Sequence, residues 1–196
     1  MHQSSYDLMK RFRETHLADR ESEPLLIVDY GSLDVNGSFR PIFDAPGWKY
    51  LGMDREPGNN VDVVVTEPYR WSAFATRSVD VVVSGQALEH TQFFWRTIDE
   101  IDRILKPGGL CCLIAPSAGP EHRYPVDCWR FYPDGLDALV QYAGLDPVEI
   151  ETFWDDKPYT DSSNLWHDSI VIARKGPRSI VHEILRDVRR VLRTRL

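Results

Sequence analysis

Short aliphatic runs that break off at a carboxylate or a glycine constrain this chain more than any other feature. Leu25-Leu26-Ile27-Val28 ends at Asp29-Tyr30-Gly31-Ser32, and Tyr50-Leu51-Gly52-Met53 ends at Asp54. Val61 to Val65 follows, and Val79-Asp80-Val81-Val82-Val83 ends at Ser84-Gly85-Gln86. Continuous apolar runs of this length suit strands buried on both faces, as in a parallel sheet. Helical periods alternate with them. Residues 6–18 carry Tyr6, Met9, Phe12 and Leu17, and Phe93 to Leu105 carries Phe94, Ile98, Ile101 and Leu105. The second helix is expected to stop at Lys106-Pro107-Gly108-Gly109, where proline and glycine do not continue it. Leu110 to Ile114, Val148 to Phe153 and Ser169 to Ala173 complete the expected strands, with a helix from Leu136 to Tyr142 closed by Gly144. Such alternation predicts a doubly wound α/β fold, with its ligand beyond the carboxyl ends of the strands.

Composition narrows the function classes. At 196 residues, the chain has the length of one domain. Its 42% hydrophobic and 27% charged residues are those of a globular protein. No apolar run reaches the roughly 18 residues of a membrane span, so integral membrane association is not expected. Met1 to Ser5 shows no charged-then-apolar leader, and Cys111, Cys112 and Cys128 form no disulfide framework, so a cytoplasmic protein is expected. The cysteines and histidines show no metal-ligand spacing, so no structural zinc site is expected. A net charge of −7 argues against a nonspecific nucleic-acid binder. Residues 176–196 run against that balance, with arginines at 178, 186, 189, 190, 193 and 195 facing only Glu183 and Asp187. Ile180, Val181, Ile184, Leu185, Val188 and Leu192 give this tail an apolar stripe, so an amphipathic basic helix is expected there. Packing on the body or joining two copies in a homodimer would both occupy the stripe.

The strand ends carry the candidate chemistry. Gly31 permits close backbone approach, and a helix starting after it would offer free N–H groups. A dinucleotide dehydrogenase should show GxGxxG here, but Leu33 and Asn36 occupy those positions. Asp54, about twenty residues beyond Gly31, is placed to accept hydrogen bonds from a ribose diol.

Four segments together resemble the class I S-adenosylmethionine-dependent methyltransferases over most of the chain. Asp29-Tyr30-Gly31-Ser32 resembles the family's first motif with its second glycine changed, and Asp54 its ribose-binding acid. Val79 to His90 resembles the fourth-strand segment, and Leu105 to Gly109 the turn before strand five. Asp34 to Ser38 and Tyr124 to Phe131 resemble a bacterial subgroup associated with glycan and glycolipid biosynthesis, which includes the mycobacterial sugar O-methyltransferases of methylmannose polysaccharide synthesis. The resemblance implies a Rossmann-like, mostly parallel seven-stranded sheet with an antiparallel last strand, formed by residues 1–175.

The resemblance also implies S-adenosylmethionine as cofactor, held by Asp29, Tyr30, Gly31, Ser32 and Asp54, with Tyr69 near the adenine. Ser84, Gly85 and Gln86 would meet the methionine end. O-methylation of a sugar or polysaccharide hydroxyl is the expected reaction, and a hydroxyl benefits from a general base. The loop from Ala115 to Pro133 supplies His122 as first choice, with Glu121 or Asp127 to orient it or to hold Mg²⁺. His90, beside Glu89, is the rival base. Tyr124, Trp129, Arg130, Tyr132 and His167 are candidates to bind a small-molecule or oligosaccharide acceptor. Trp129, Phe131, Tyr132, Phe153, Trp154, Tyr159 and Trp166 would form an aromatic pocket suited to a sugar ring. A small-molecule or lipid O- or N-methyltransferase is the alternative enzyme. An inactive binding module of the same fold is the alternative of another class, because Leu33 and Val35 stand where small residues would admit a cofactor.

Overall fold

The computed structural model describes residues 2–154 and 159–178, and beyond them residues 181, 185, 187 and 188. Strands β1 (Leu25–Tyr30), β2 (Trp48–Asp54), β3 (Val63–Val64), β4 (Val79–Gly85), β5 (Leu105–Pro116), β6 (Asp146–Thr152) and β7 (Asp168–Arg174) form one sheet. Their order is β3-β2-β1-β4-β5-β7-β6, and β7 alone runs antiparallel to its neighbours. Among the described residues, α1 (Gln3–His16), α2 (Phe94–Ile104) and α3 (Pro133–Tyr142) flank it. This is the doubly wound sheet with an antiparallel last strand in chain order.

Alternation along the strands splits the core into two layers. On β5, Cys111, Leu113 and Ala115 join Val28, Tyr30 and Val82 under α2 and α3, against Ile98, Ile101, Leu136 and Val140. Leu110, Cys112 and Ile114 join Ile27, Val81 and Val83 on the other face, under Leu8, Met9 and Phe12 of α1. Both cysteines within β5 are therefore core residues, and burial pushes the Cys111 thiol up to about 12. Trp71 is fully buried in the first layer beside Tyr30, with ring centroids 5.1 Å apart.

Three expectations are corrected. No α-helix follows β1; residues 32–39 form a loop, succeeded by a single 3-10 turn, Arg40–Phe43. Gly37, at φ 119°, and Pro41 interrupt any helical hydrogen-bonding there. The expected strand over Val61 to Val65 shrinks to Val63–Val64 at the sheet edge. Strand β5 begins at Leu105, so Lys106 to Gly109 is a bulge within the strand; the β4–β5 register shifts between Val79 and Val81.

The expected tail helix falls largely on residues outside those described. Its approach is anchored, however. Lys175 is buried and donates to Asp102 O at 2.6 Å, and Arg178 Nη1 donates to Asp102 Oδ1 at 2.7 Å. Among the described residues, no helix is long and apolar enough to cross a membrane.

Candidate active site

A cleft of about 560 Å³ opens beyond the carboxyl ends of β1, β2 and β4. The first wall is the β1 turn. Gly31 has φ 80°, and its N–H and that of Ser32 both donate to Met53 O. A side chain at Gly31 would place its Cβ 2.4 Å from Ala87 Cβ, so the turn needs glycine for conformation and for space. Leu33 shares the wall, but its side chain lies against Gly58: a Cβ there would stand 2.4 Å from Leu33 Cδ1. The changed glycine motif is thus accommodated by a second glycine on the β2–β3 connection.

Asp54 forms the second wall. Its Oδ2 accepts the Leu33 N–H at 3.0 Å, and Oδ1 accepts those of Arg55 at 2.6 Å and Glu56 at 3.2 Å. The carboxylate therefore ties the β1 loop to the end of β2, and Oδ2, with one N–H accepted, keeps a lone pair for a ligand. Arg55 and Glu56 line the cleft beside it, and the sequence reading missed both. Their position directly after a strand-end carboxylate was the available signal.

Asp29 sits at the floor, buried and accepting the Tyr50 hydroxyl. Burial raises its carboxyl from 3.8 to about 7, against the lowering effect of that bond. A carboxyl whose folded pKa is raised holds its proton where the unfolded chain has lost it. Its share of stability is full below about pH 4 and is lost as pH rises through 7. Asp29→Asn is expected to reduce the fall in stability between pH 5 and pH 8 by on the order of 2 kcal/mol. Urea midpoints at both pH values check this; an unchanged gap would refute it.

The third wall combines Gly85, Gln86 and Ala87 with His90 and Thr91. The fourth is the loop after β5, through His122, Arg123, Tyr124 and Pro125. His90 Nδ1 donates to Val126 O at 2.5 Å, and its ring meets His122 edge-on, with centroids 4.8 Å apart. Burial lowers the His90 pKa, favouring neutral imidazole. His122 Nδ1 lies 3.4 Å from Asp127 Oδ2, which also accepts the His122 backbone N–H at 2.7 Å. Arg130 holds Asp127 from the other side and keeps its carboxyl far below the usual range. Glu89, beneath the histidines, is fully buried, its oxygens lack hydrogen-bond partners, and burial raises it from 4.5 to about 8.

Of the residues singled out from sequence, Asp29, Tyr30, Gly31, Ser32, Asp54, Gly85, Gln86, His90, His122 and Tyr124 line this cleft. Others stand outside it. Ser84 is buried and donates to Tyr30 O at 2.8 Å, so it holds the β1 end from behind. Tyr69 packs on Phe93 and Arg96, and its hydroxyl accepts the Phe93 N–H. Glu121 is paired with Arg123 and Asp127 with Arg130, and neither is a lining residue of the cleft, so the Mg²⁺ reading gains no support there. Trp129 donates to Thr91 O and closes over Phe94, while Arg130 braces Asp127. Tyr132, Trp154 and His167 stack on one another elsewhere. The aromatic residues therefore divide into separate groups; Trp166 alone of them sets its ring against rings of the cleft, stacked on His2 and tilted against His122.

Comparison with known proteins fits this geometry. Residues 36–113 match the family model described as a methyltransferase domain. Over these residues the chain is similar to methyltransferase domains. An uncharacterized methyltransferase of Mycolicibacterium vanbaalenii is 33% identical over 107 residues, which is 45% of this chain and 42% of that protein. A malonyl-[acyl-carrier protein] O-methyltransferase of Coxiella burnetii is 33% identical over 87 residues, 38% of this chain and 30% of that protein. The chain spans less than half the length of these curated relatives. The chain also shares its fold with a 1,6-didemethyltoxoflavin-N1-methyltransferase of Burkholderia thailandensis solved with S-adenosylhomocysteine. The TM-score is 0.66 at 16% identity, covering 89% of this chain and 79% of that one. The [4+2]-cyclase SpnF scores 0.66 at 15% identity, covering 88% and 82%. The fold alone therefore does not set the reaction.

Proposed function

We propose that this cleft binds S-adenosylmethionine and that the chain transfers its methyl group to a hydroxyl. The volume lies within the range of small-molecule pockets, about 300–1,000 Å³. The residues fit the group: Asp54 offers Oδ2 at the rim to a ribose hydroxyl, and the Gly31 turn admits a ligand close to the backbone. Gly85, Gln86 and Ala87 would border the methionine end. Bound there, S-adenosylmethionine supplies an electrophilic methyl carbon on a sulfonium. Asp54→Ala is expected to weaken S-adenosylhomocysteine binding by about ten- to a hundredfold, since one charge-assisted hydrogen bond at about 1.5–3 kcal/mol is lost. Equal affinity in the variant, by calorimetry, would remove the ribose contact from this reading.

The acceptor class rests on one observation. Asn36, Gly37 and Ser38 from one segment, and Tyr124 and Pro125 from another, line the same cleft as the His90–His122 pair. These segments carry the resemblance to sugar O-methyltransferases. A sugar hydroxyl holds its proton at neutral pH, and a neutral imidazole within reach is the group to take it. His122, braced by Asp127, would accept the proton as oxygen bonds to the methyl carbon and the carbon–sulfur bond breaks. Incubation with methyl-labelled cofactor and a panel of mannosides, amines and carboxylic acids tests this. Labelled methyl ethers are expected. Labelled amines or esters alone would redirect the reading to the small-molecule alternative, and the Coxiella relative's name gives esters a place in the panel.

A further inference from the structure

Among the described residues, the buried carboxyl group of Glu89 is the least explained. It lies on the 3-10 turn Leu88–His90 beyond β4, without exposure to solvent. Neither of its oxygens has a hydrogen-bond partner. A buried carboxyl with no donor is costly, and native structures reserve such cost for groups with a task. Two imidazoles face it. His90 Nε2 stands 3.6 Å from Glu89 Oε1. Because the Val126 carbonyl can only accept, His90 carries its proton on Nδ1 when neutral and presents a lone pair on Nε2. A backbone carbonyl that fixes the tautomer in this way is the usual support of a ligating histidine. His122 enters from the opposite wall, braced by Asp127, with Nδ1 buried and lacking a hydrogen bond. One donor atom from each of Glu89, His90 and His122 lies within 4.8 Å of the other two.

We propose that Glu89, His90 and His122 bind one divalent first-row transition ion, of the zinc kind, at the floor of the cleft. Two imidazoles with one carboxylate suit zinc and its neighbours, whereas magnesium and calcium prefer oxygen donors. Three protein ligands leave a coordination position open toward the cleft. Bonds of about 2.1 Å would set tetrahedral donors about 3.4 Å apart, so the ion would draw His122 inward on its loop. Ion binding stands on these residues alone. Only the ion's task rests on the proposed methyl transfer: it would take the acceptor oxygen, lower the hydroxyl pKa and let the proton leave to solvent. The oxygen would then bond to the methyl carbon as the carbon–sulfur bond breaks, with the two imidazoles acting as ligands in place of a base.

The test uses the full chain stripped of metal. Zn²⁺ is titrated by calorimetry and Co²⁺ by visible absorption, each against wild type, Glu89→Gln and His122→Ala. One equivalent is expected to bind wild type, with about a hundredfold or greater loss in each variant. A urea midpoint near that of wild type reports that each variant is folded, and S-adenosylhomocysteine binding, measured in the same samples, should be retained. If Glu89→Gln fails that control, His122→Ala decides, because His122 lies on a loop. Wild type that takes neither ion, or variants that bind as tightly as wild type, would overturn the site. One ion bound by a chain that neither binds S-adenosylhomocysteine nor transfers methyl groups would support the site and defeat the functional reading.

Discussion

His122→Ala is expected to lower turnover by about 10²–10³-fold while S-adenosylhomocysteine affinity stays within a few fold of wild type. General-base catalysis by a positioned imidazole contributes about 10²–10⁴-fold, and loss of a ligand from a catalytic ion has an effect of similar size. The binding half follows from position. His122 reaches the cleft from the loop after β5, whereas Asp54 and the Gly31 turn form the walls on β1 and β2. Steady-state rates paired with calorimetry separate the two halves. A variant that loses cofactor binding as well would make His122 a structural residue of the loop. Asp127→Asn should reproduce part of the loss, because it weakens the group that accepts the His122 N–H and pairs with Arg130.

Gly31→Ala is expected to destabilise the fold by about 2–5 kcal/mol and to reduce cofactor binding at least tenfold. Two costs add. The left-handed backbone, φ 80°, costs an L-residue about 1–2 kcal/mol. The added Cβ would meet Ala87 Cβ at 2.4 Å, and overpacking costs about 1–3 kcal/mol. Ala87 can yield only by shifting the segment after β4, which lines the cleft. Denaturant melts with S-adenosylhomocysteine titration check both numbers. Wild-type stability in the variant would mean that the β1 turn is not held as described.

The sheet was readable because its strands are buried on both faces, so apolar continuity marks β1, β4 and β5 directly. The strand ends followed, and with them Asp54, Gly31, Gly85 and Gln86. After β1 a loop stands where a helix is expected, because residues 32–39 mix Leu33, Val35 and Phe39 with polar and small residues at no helical period. Ser84 was assigned to the ligand by its place at a strand end, but strand alternation turns its hydroxyl to Tyr30 O. Tyr69 follows the shortest strand, where two paired residues do little to fix direction. The grouping of Glu89, His90 and His122 had no sequence signal. No ligand spacing spans residues 90 to 122, and the meeting depends on how the loop after β5 folds back over the strand ends.

Titration of S-adenosylhomocysteine into the wild-type chain tests the central claim most directly. One molecule bound per chain with micromolar affinity, lost in Asp54→Ala, is the predicted result. No binding to a folded wild type would contradict the account and leave a methyltransferase fold that serves as a binding module.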